Sequence, residues 1–282
     1  VGRAGIGVDN IDIDAATDHG VIVANAPDPN VRATAEHTVG MIFAVARSIP
    51  QAHARLAQGE WAKGEYMGTE VNGKALGVVG LGRVGQQVAK KLDALGMDIV
   101  AFDPYISAER AEQIGADLVD DLTDCLERAD VATVHTPLTP DTEGLIGETE
   151  LAALEDGFIV NCARGGIIEE DALAAALADD VLAGAAIDVF EEEPLPADSR
   201  LHEFENVVVT PHIAASSEVA RTNIVETLAD LTTQYLAGEP LPERFVATAA
   251  GALATTERGA MPSLPDRDAV DDLAGNDALD EL

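Results

Sequence analysis

Cysteine, lysine and long apolar runs are all scarce in this 282-residue chain. Its two cysteines, Cys125 and Cys162, cannot build a disulfide framework and lack the spacing of metal ligands, so both read as small buried residues and no metal is expected. A nucleophilic Cys162 would need a positioned base, and the sequence identifies none. The longest apolar run, residues 39–46, is too short to span a bilayer. No N-terminal signal pattern stands before it, which points to the cytosol and away from a membrane. Basic residues number 17 against 51 acidic ones, with no basic stripe to meet phosphates, which disfavours a nucleic-acid partner.

The formal charge of −34 destabilises a compact fold in dilute buffer. It becomes tolerable where salt screens it within about 3 Å, as at 1 M. With four lysines against thirteen arginines, the balance suggests a protein that works in concentrated salt, as in a halophile. The plainer alternative is an acidic protein from ordinary salt conditions.

What the chain does contain is organised around residues 76–103. Leu76, Val78 and Val79 form an apolar run suited to a buried parallel strand, which ends in Gly80, Gly82 and Gly85, spaced G-x-G-x-x-G. Gly80 lets the chain turn off the strand, Gly82 lets the backbone approach a pyrophosphate, and Gly85 lets the next helix pack close to the sheet. That helix offers free N–H groups and a positive dipole end to phosphates. Val84, Val88, Leu92 and Leu95 recur at helical spacing, and Gly96 stops the helix. A second strand, residues 98–102, ends at Asp103, eighteen residues beyond Gly85, where an acid can bind the adenine ribose hydroxyls. Its charge repels a 2′-phosphate, so the site favours NAD over NADP. An ordinary βαβ turn with a surface Asp is the alternative.

Upstream, residues 1–26 read as a strand-like start, a Gly-rich turn, a short helix at 13–19 and a strand at 21–24, as though earlier strands of the same sheet were missing. Pro27-Asp28-Pro29-Asn30 is an expected hinge. Residues 31–48 predict a long helix with Val31, Ala35, Val39 and Ile42 on one stripe and Met41, Val45 and Ile49 on another. Two apolar sides imply burial on both, at a subunit interface or within one chain. Residues 51–61 continue it as a polar arm. Downstream, helices at 109–114, 123–128, 148–154 and 169–178 alternate with strands at 131–135, 158–161, 183–187 and 207–210. This rhythm predicts an α/β fold with a doubly wound parallel sheet of Rossmann type. Ser216 is the expected cap of a last helix whose Ile224, Leu228, Leu231 and Tyr235 share a face before Gly238 ends it. The acidic stretch 241–282 has too few large apolar residues to close a core and is expected to be disordered or loosely docked.

Asp103, Thr136, Arg164, Asp188 and His212 all stand at carboxyl ends of expected strands, the edge where such sheets bind ligands. Arg164, Glu193 and His212 together suit hydride transfer. A hydroxyl carbon releases a hydride only as its oxygen loses a proton, so a base must touch that oxygen while a cation holds the neighbouring carboxylate. His212 is the candidate base, since imidazole titrates near working pH. Glu193 would orient it, and Arg164 would grip carboxylate and carbonyl oxygens with its planar fork. Each also has a duller reading: His135 and His202 are equally histidines, Glu193 lies in an acidic run, and Arg164 suits a surface ion pair.

Five motifs carry a resemblance: Gly2-Arg3-Ala4-Gly5-Ile6-Gly7-Val8-Asp9-Asn10, the Gly80 to Gly85 turn, Asn161-Cys162-Ala163-Arg164-Gly165-Gly166, Asp188-Val189-Phe190-Glu191-Glu192-Glu193-Pro194, and Thr210-Pro211-His212. Over residues 1–238 the chain resembles the D-isomer-specific 2-hydroxyacid dehydrogenases. The resemblance implies NAD as cofactor, contacted by Gly80, Gly82, Arg83, Val84, Gly85, Asp103, Thr136, Cys162, Asp188 and Ala215, with Asp188 at the carboxamide. It implies Arg164, Glu193 and His212 as catalytic residues, and Arg3, Gly5 and Asn10 in the substrate loop. It implies a homodimer or higher homo-oligomer built on the long helix and arm, with Lys63 reaching the neighbouring subunit's substrate. The implied organisation is 1–27 as the remnant of an incomplete, flavodoxin-like substrate domain and 28–213 as the NAD domain, including the dimer helix and arm at 31–64. Residues 214–240 form a return helix, and 241–282 a tail unlike the regulatory domains that many members carry. The implied reaction oxidises a D-2-hydroxyacid, 3-phosphoglycerate in first place, with glyoxylate, hydroxypyruvate or D-lactate reduction as the alternative. An amide replaces Glu193 in the formate dehydrogenases of this superfamily, which disfavours that chemistry. A reading from another class is a catalytically weak, NAD-sensing dimeric module.

Overall fold

The computed structural model describes residues 1–5, 7–8, 10–26 and 29–239. Pro27 and Asp28 of the expected hinge and the stretch 241–282 lie outside the described residues. The described residues form two compact units, one of residues 32–215 and one that joins those of 1–31 to 216–239. The sequence boundaries fall after 27 and 213, the structural ones after 31 and 215.

The smaller unit begins with β1 (Gly2–Arg3), α1 (Ile13–Asp18) and β2 (Ala24–Asn25). Asp12 caps α1 by accepting the Ala15 N–H. The strand expected at 21–24 is displaced, because the two strands pair in parallel through Gly2 with Ala24 and Arg3 with Asn25, while Val21 is 38% exposed.

The larger unit starts with the helices α2 (Val31–Ala46) and α3 (Ile49–Ala57). The helix expected at 31–48 ends at Ala46, Ser48 leaves the helical region at φ 49°, and Pro50 stands in the first turn of α3, the helix within the expected arm. Thr34, Ala35, Thr38, Met41, Ile42, Val45 and Ala46 are buried on α2. Ile49, expected on the second apolar stripe, is 53% exposed because it falls beyond the break.

The sheet and its helices follow: β3 (Ala75–Val79), α4 (Arg83–Asp93), β4 (Asp98–Phe102), α5 (Ala108–Ile114), β5 (Ala116–Val119), α6 (Leu122–Glu127), β6 (Val131–Val134), α7 (Glu148–Ala153), β7 (Phe158–Asn161), α8 (Glu170–Ala178), β8 (Gly184–Ile187) and β9 (Val207–Val209). Seven parallel strands lie in the order β5-β4-β3-β6-β7-β8-β9. The order reverses between β3 and β6, which opens a crevice at their carboxyl ends. All residues of β6, β7 and β8 are buried, the pattern of strands covered on both faces. Leu76 and Val78 of β3 pack with Ile42 of α2 and Leu92 of α4 in one core, while Val79 packs with Leu126, Leu151 and Leu173 of α6, α7 and α8 in the other. The edge strand β5 is not legible in the sequence, since four residues with Asp117 exposed carry too little alternation.

The helix α9 (Glu218–Leu236) belongs to the smaller unit, where Leu231 packs with Ala24, and Ile22, Leu228 and Tyr235 close around them. Its cap is Ser217, which accepts the Ala220 N–H, one residue beyond the expected Ser216. Among the described residues, no helix is long and apolar enough to cross a membrane.

Burial pushes the His135 imidazole down from 6.5 to about 3, so the folded chain holds it neutral where the unfolded chain protonates it. Its contribution is complete above about pH 6.5 and is lost as pH falls towards 3. Replacing it in His135→Gln is expected to remove about one proton from the uptake on unfolding in that window, read as a shallower pH dependence of urea unfolding. An unchanged slope would contradict the assignment.

Candidate active site

At the crevice, Gly80 has φ of +93°, and a Cβ there would meet the His135 carbonyl carbon at 2.9 Å and Thr136 Cγ2 at 3.0 Å. A Cβ on Gly85 would strike the Gly80 carbonyl oxygen at 2.2 Å, so α4 packs on β3 as the spacing requires. Gly82 differs: a Cβ there would meet nothing within 4 Å, and no side chain caps the helix it opens. Arg83 is exposed and Val84 half-buried in the first turn of α4. Asp103 sits at the end of β4, half-buried, accepting the Leu81 N–H at 2.7 Å and the Tyr105 N–H at 2.9 Å. Thr136 Oγ1 is buried beside Gly80 with no hydrogen-bond partner among the described residues. Open space at an uncapped helix N-terminus, an acid one strand over and an unpaired hydroxyl fit a dinucleotide.

The second cluster lies across the sheet edge from β7 to β9. Asp188 has no exposed surface. Its Oδ1 accepts from the Thr210 hydroxyl at 2.5 Å and the Ile213 N–H at 2.9 Å, its Oδ2 from the Ala214 N–H at 2.8 Å, and its carbonyl from the His212 N–H at 2.8 Å. Burial pushes this carboxyl up, but donation by His37, Thr210, Ile213 and Ala214 outweighs it and holds the group below its ordinary value. Ala215 follows, half-buried, at the end of the loop.

The loop held in this way presents His212 at φ 51°, a left-handed conformation unusual for a residue with a side chain. His212 Nδ1 lies 2.7 Å from Glu193 Oε2, and the Phe190 N–H donates to Glu193 Oε1 at 3.2 Å. A neutral His212 that donates from Nδ1 keeps Nε2 as a proton acceptor. Both side chains remain partly exposed, at 45% and 37%. A cavity of about 620 Å³ adjoins the pair, walled by Phe190, Leu195, Val209 and Pro211 and also reached by His202. His135, by contrast, is held neutral by burial.

Arg164 follows β7. Asn161 shapes its turn, accepting the Ala163 N–H at 2.9 Å and donating to the Arg164 carbonyl at 2.8 Å, while Arg164 Nη1 donates to the Ala163 carbonyl at 2.7 Å. Gly165 sets how near this turn comes to Glu193, since a Cβ there would lie 1.8 Å from the Phe190 carbonyl oxygen. The structure therefore brings the Arg164 turn against the loop that bears Glu193. Cys162 is buried, and burial pushes its thiol up to about 12, which leaves it no thiolate near neutral pH.

In the smaller unit, Arg3, Gly5 and Asn10 gather: Arg3 Nε donates to Asn10 Oδ1 at 3.2 Å, Nη1 donates to the Ala4 carbonyl at 3.1 Å, and Gly5 leaves room for the guanidinium. Sequence reasoning did not single out His37, and it gave Thr210 and Gly165 only as members of motifs, without a role. No local sequence signal marked His37, whose partner Thr210 is 173 positions away.

The close approach of Gly85 makes a test of the turn. Gly85→Ala is expected to cost ~1–3 kcal/mol of unfolding free energy through overpacking. Gly82→Ala, which meets open space, should cost under ~1 kcal/mol. Equal losses in urea unfolding would contradict the different roles of the two glycines.

Residues 39–214 match the family described as D-isomer specific 2-hydroxyacid dehydrogenase, NAD binding domain. The chain is 50% identical over 240 residues to D-3-phosphoglycerate dehydrogenase of Methanocaldococcus jannaschii, covering 85% of this chain and 46% of the relative. It is 48% identical over 242 residues to the Bacillus subtilis enzyme of the same name, covering 86% and 46%. The chain thus spans about half the length of the curated relatives it matches. Among solved structures, holo D-mandelate dehydrogenase of Rhodotorula graminis superposes with a TM-score of 0.81 at 31% identity, covering 87% of this chain and 74% of that one. D-lactate dehydrogenase of Aquifex aeolicus, complexed with NAD and lactic acid, gives 0.77 at 27%, covering 84% and 76%. The chain belongs to the D-isomer specific 2-hydroxyacid dehydrogenase family and carries its NAD-binding domain.

Proposed function

We propose that this chain serves an NAD-dependent dehydrogenase that oxidises a D-2-hydroxyacid, 3-phosphoglycerate to 3-phosphohydroxypyruvate, a step of serine biosynthesis. The observation that carries the reaction class is the 2.7 Å contact between His212 and Glu193 beside the Arg164 turn. The substrate rests on relatives at 50% and 48% identity that bear the name D-3-phosphoglycerate dehydrogenase.

In this reading His212 Nε2 takes the proton of the substrate hydroxyl as the C2–O bond becomes a carbonyl. Glu193 accepts the Nδ1–H and balances the imidazolium that forms. Arg164 holds the carboxylate and the developing carbonyl oxygen through its fork of N–H donors. Arg3, beside Gly5 and Asn10, is assigned to the substrate's phosphate or carboxylate. NAD, when bound, supplies the acceptor for the C2 hydride. Gly80, Gly82, Gly85 and the first turn of α4, with Arg83 and Val84, would hold its pyrophosphate and Asp103 its adenine ribose. Thr136, Cys162, Asp188 and Ala215 complete the proposed cofactor contacts.

A second copy of the chain is the proposed partner of α2 and the arm that follows it. Ile49, Leu56 and Trp61 are 53%, 55% and 80% exposed there, apolar side chains that a partner would cover. Lys63 lies on the same arm. The net charge of −34 supports function in concentrated salt.

The deciding assay is NADH formation from 3-phosphoglycerate and NAD in molar KCl, with a low-salt control. Turnover that rises with salt and exceeds that on unphosphorylated D-2-hydroxyacids is expected; equal rates on both would remove the phosphoglycerate assignment. His212→Asn should lower kcat by ~10²–10⁴ while NAD affinity holds. A normal rate would exclude His212 as the base. Asp103→Ala should weaken NAD and narrow the preference over NADP, and unchanged affinities for both would exclude the ribose role.

A further inference from the structure

The helix α2 carries a histidine that lies outside the nucleotide turn and the catalytic trio. His37 Nε2 lies 3.3 Å from Thr210 Oγ1 and 3.5 Å from Asp188 Oδ1. Thr210 gives its single hydroxyl proton to Asp188 at 2.5 Å, so towards His37 the same oxygen accepts. His37 must therefore carry a proton on Nε2 and direct it at the Thr210–Asp188 pair. Asp188 has no exposed surface, and a buried anion is tolerated when it is paired and fully hydrogen-bonded. Thr210, Ile213 and Ala214 supply neutral donors. His37 is the one among these four groups that can also bring positive charge.

The pair that His37 touches is the anchor of the loop after β9. Three successive backbone N–H groups, those of His212, Ile213 and Ala214, end on Asp188. His212 sits among them in a left-handed conformation that needs such restraint. We infer that His37 is a positioning residue for His212, acting through Thr210 and Asp188 to fix the loop that aims the imidazole at the substrate. This rests on the reading of His212 as the base.

His37→Leu removes the donor at similar bulk, and His37→Gln restores an N–H of similar reach. In His37→Leu, kcat is expected to fall about tenfold, the weight of one hydrogen bond to a charged group, with NAD affinity and substrate KM within about twofold of the parent. His37→Gln should recover most of that loss. Hydrogen exchange gives a readout independent of turnover. The Ile213 and Ala214 amides should exchange at least about tenfold faster in His37→Leu, while amides of β3, which report global opening, keep their rates. Parent-like exchange at Ile213 and Ala214, a parent-like kcat, or equal damage by Gln and Leu would each overturn the inference. Should the parent turn over none of the D-2-hydroxyacids, the proposed function falls, and the exchange rates still decide the role of His37 in holding the loop.

Discussion

A carboxylate sealed from solvent at the end of β8 holds the loop after β9 in shape. Asp188 accepts from Thr210, Ile213 and Ala214 through its side chain and from His212 through its backbone. Without those donors its burial would be unaffordable, and without the carboxylate the consecutive amides of Ile213 and Ala214 would be left unpaired at the sheet edge. Each side stabilises the other, so the loop has one well-satisfied arrangement. That arrangement sets the left-handed backbone of His212 and places its ring against Glu193.

Glycine supplies the complementary constraint. Where Asp188 draws a loop in, Gly165 lets the Arg164 turn come close enough to Phe190 that no side chain would fit between them. Gly85 does the same for α4 against the turn at Gly80. These contacts work because the strands beneath are buried on both faces and their ends cannot shift to relieve a clash. The proposed site residues stand at the carboxyl ends of a parallel sheet, with the glycine turn of residues 80–85 at the reversal of strand order and the His212 loop at the far edge.

Local physics made much of this legible from sequence. The G-x-G-x-x-G spacing forecast three different backbone demands, and the structure has a positive φ at Gly80, open space at Gly82 and close packing at Gly85. The inner strands were readable because burial on two faces writes a plain apolar run. Edges were harder: β5 exposes Asp117 and has no such run. The end of the long helix near Ser48 was legible, but Ile49 was misplaced on its apolar stripe because the apolar spacing runs on past the break. His37 was illegible for a different reason. Its partner Thr210 is 173 positions away, and no local pattern records a contact of that range.

The direct test of hydride transfer at this site follows an isotope. With 3-phospho-D-glycerate deuterated at C2 and unlabelled NAD in molar KCl, the account predicts one deuterium in the nicotinamide ring of the NADH formed, none in water, and a slower rate than with the protiated acid. Deuterium released to solvent would contradict hydride transfer and the roles assigned to His212, Glu193 and Arg164.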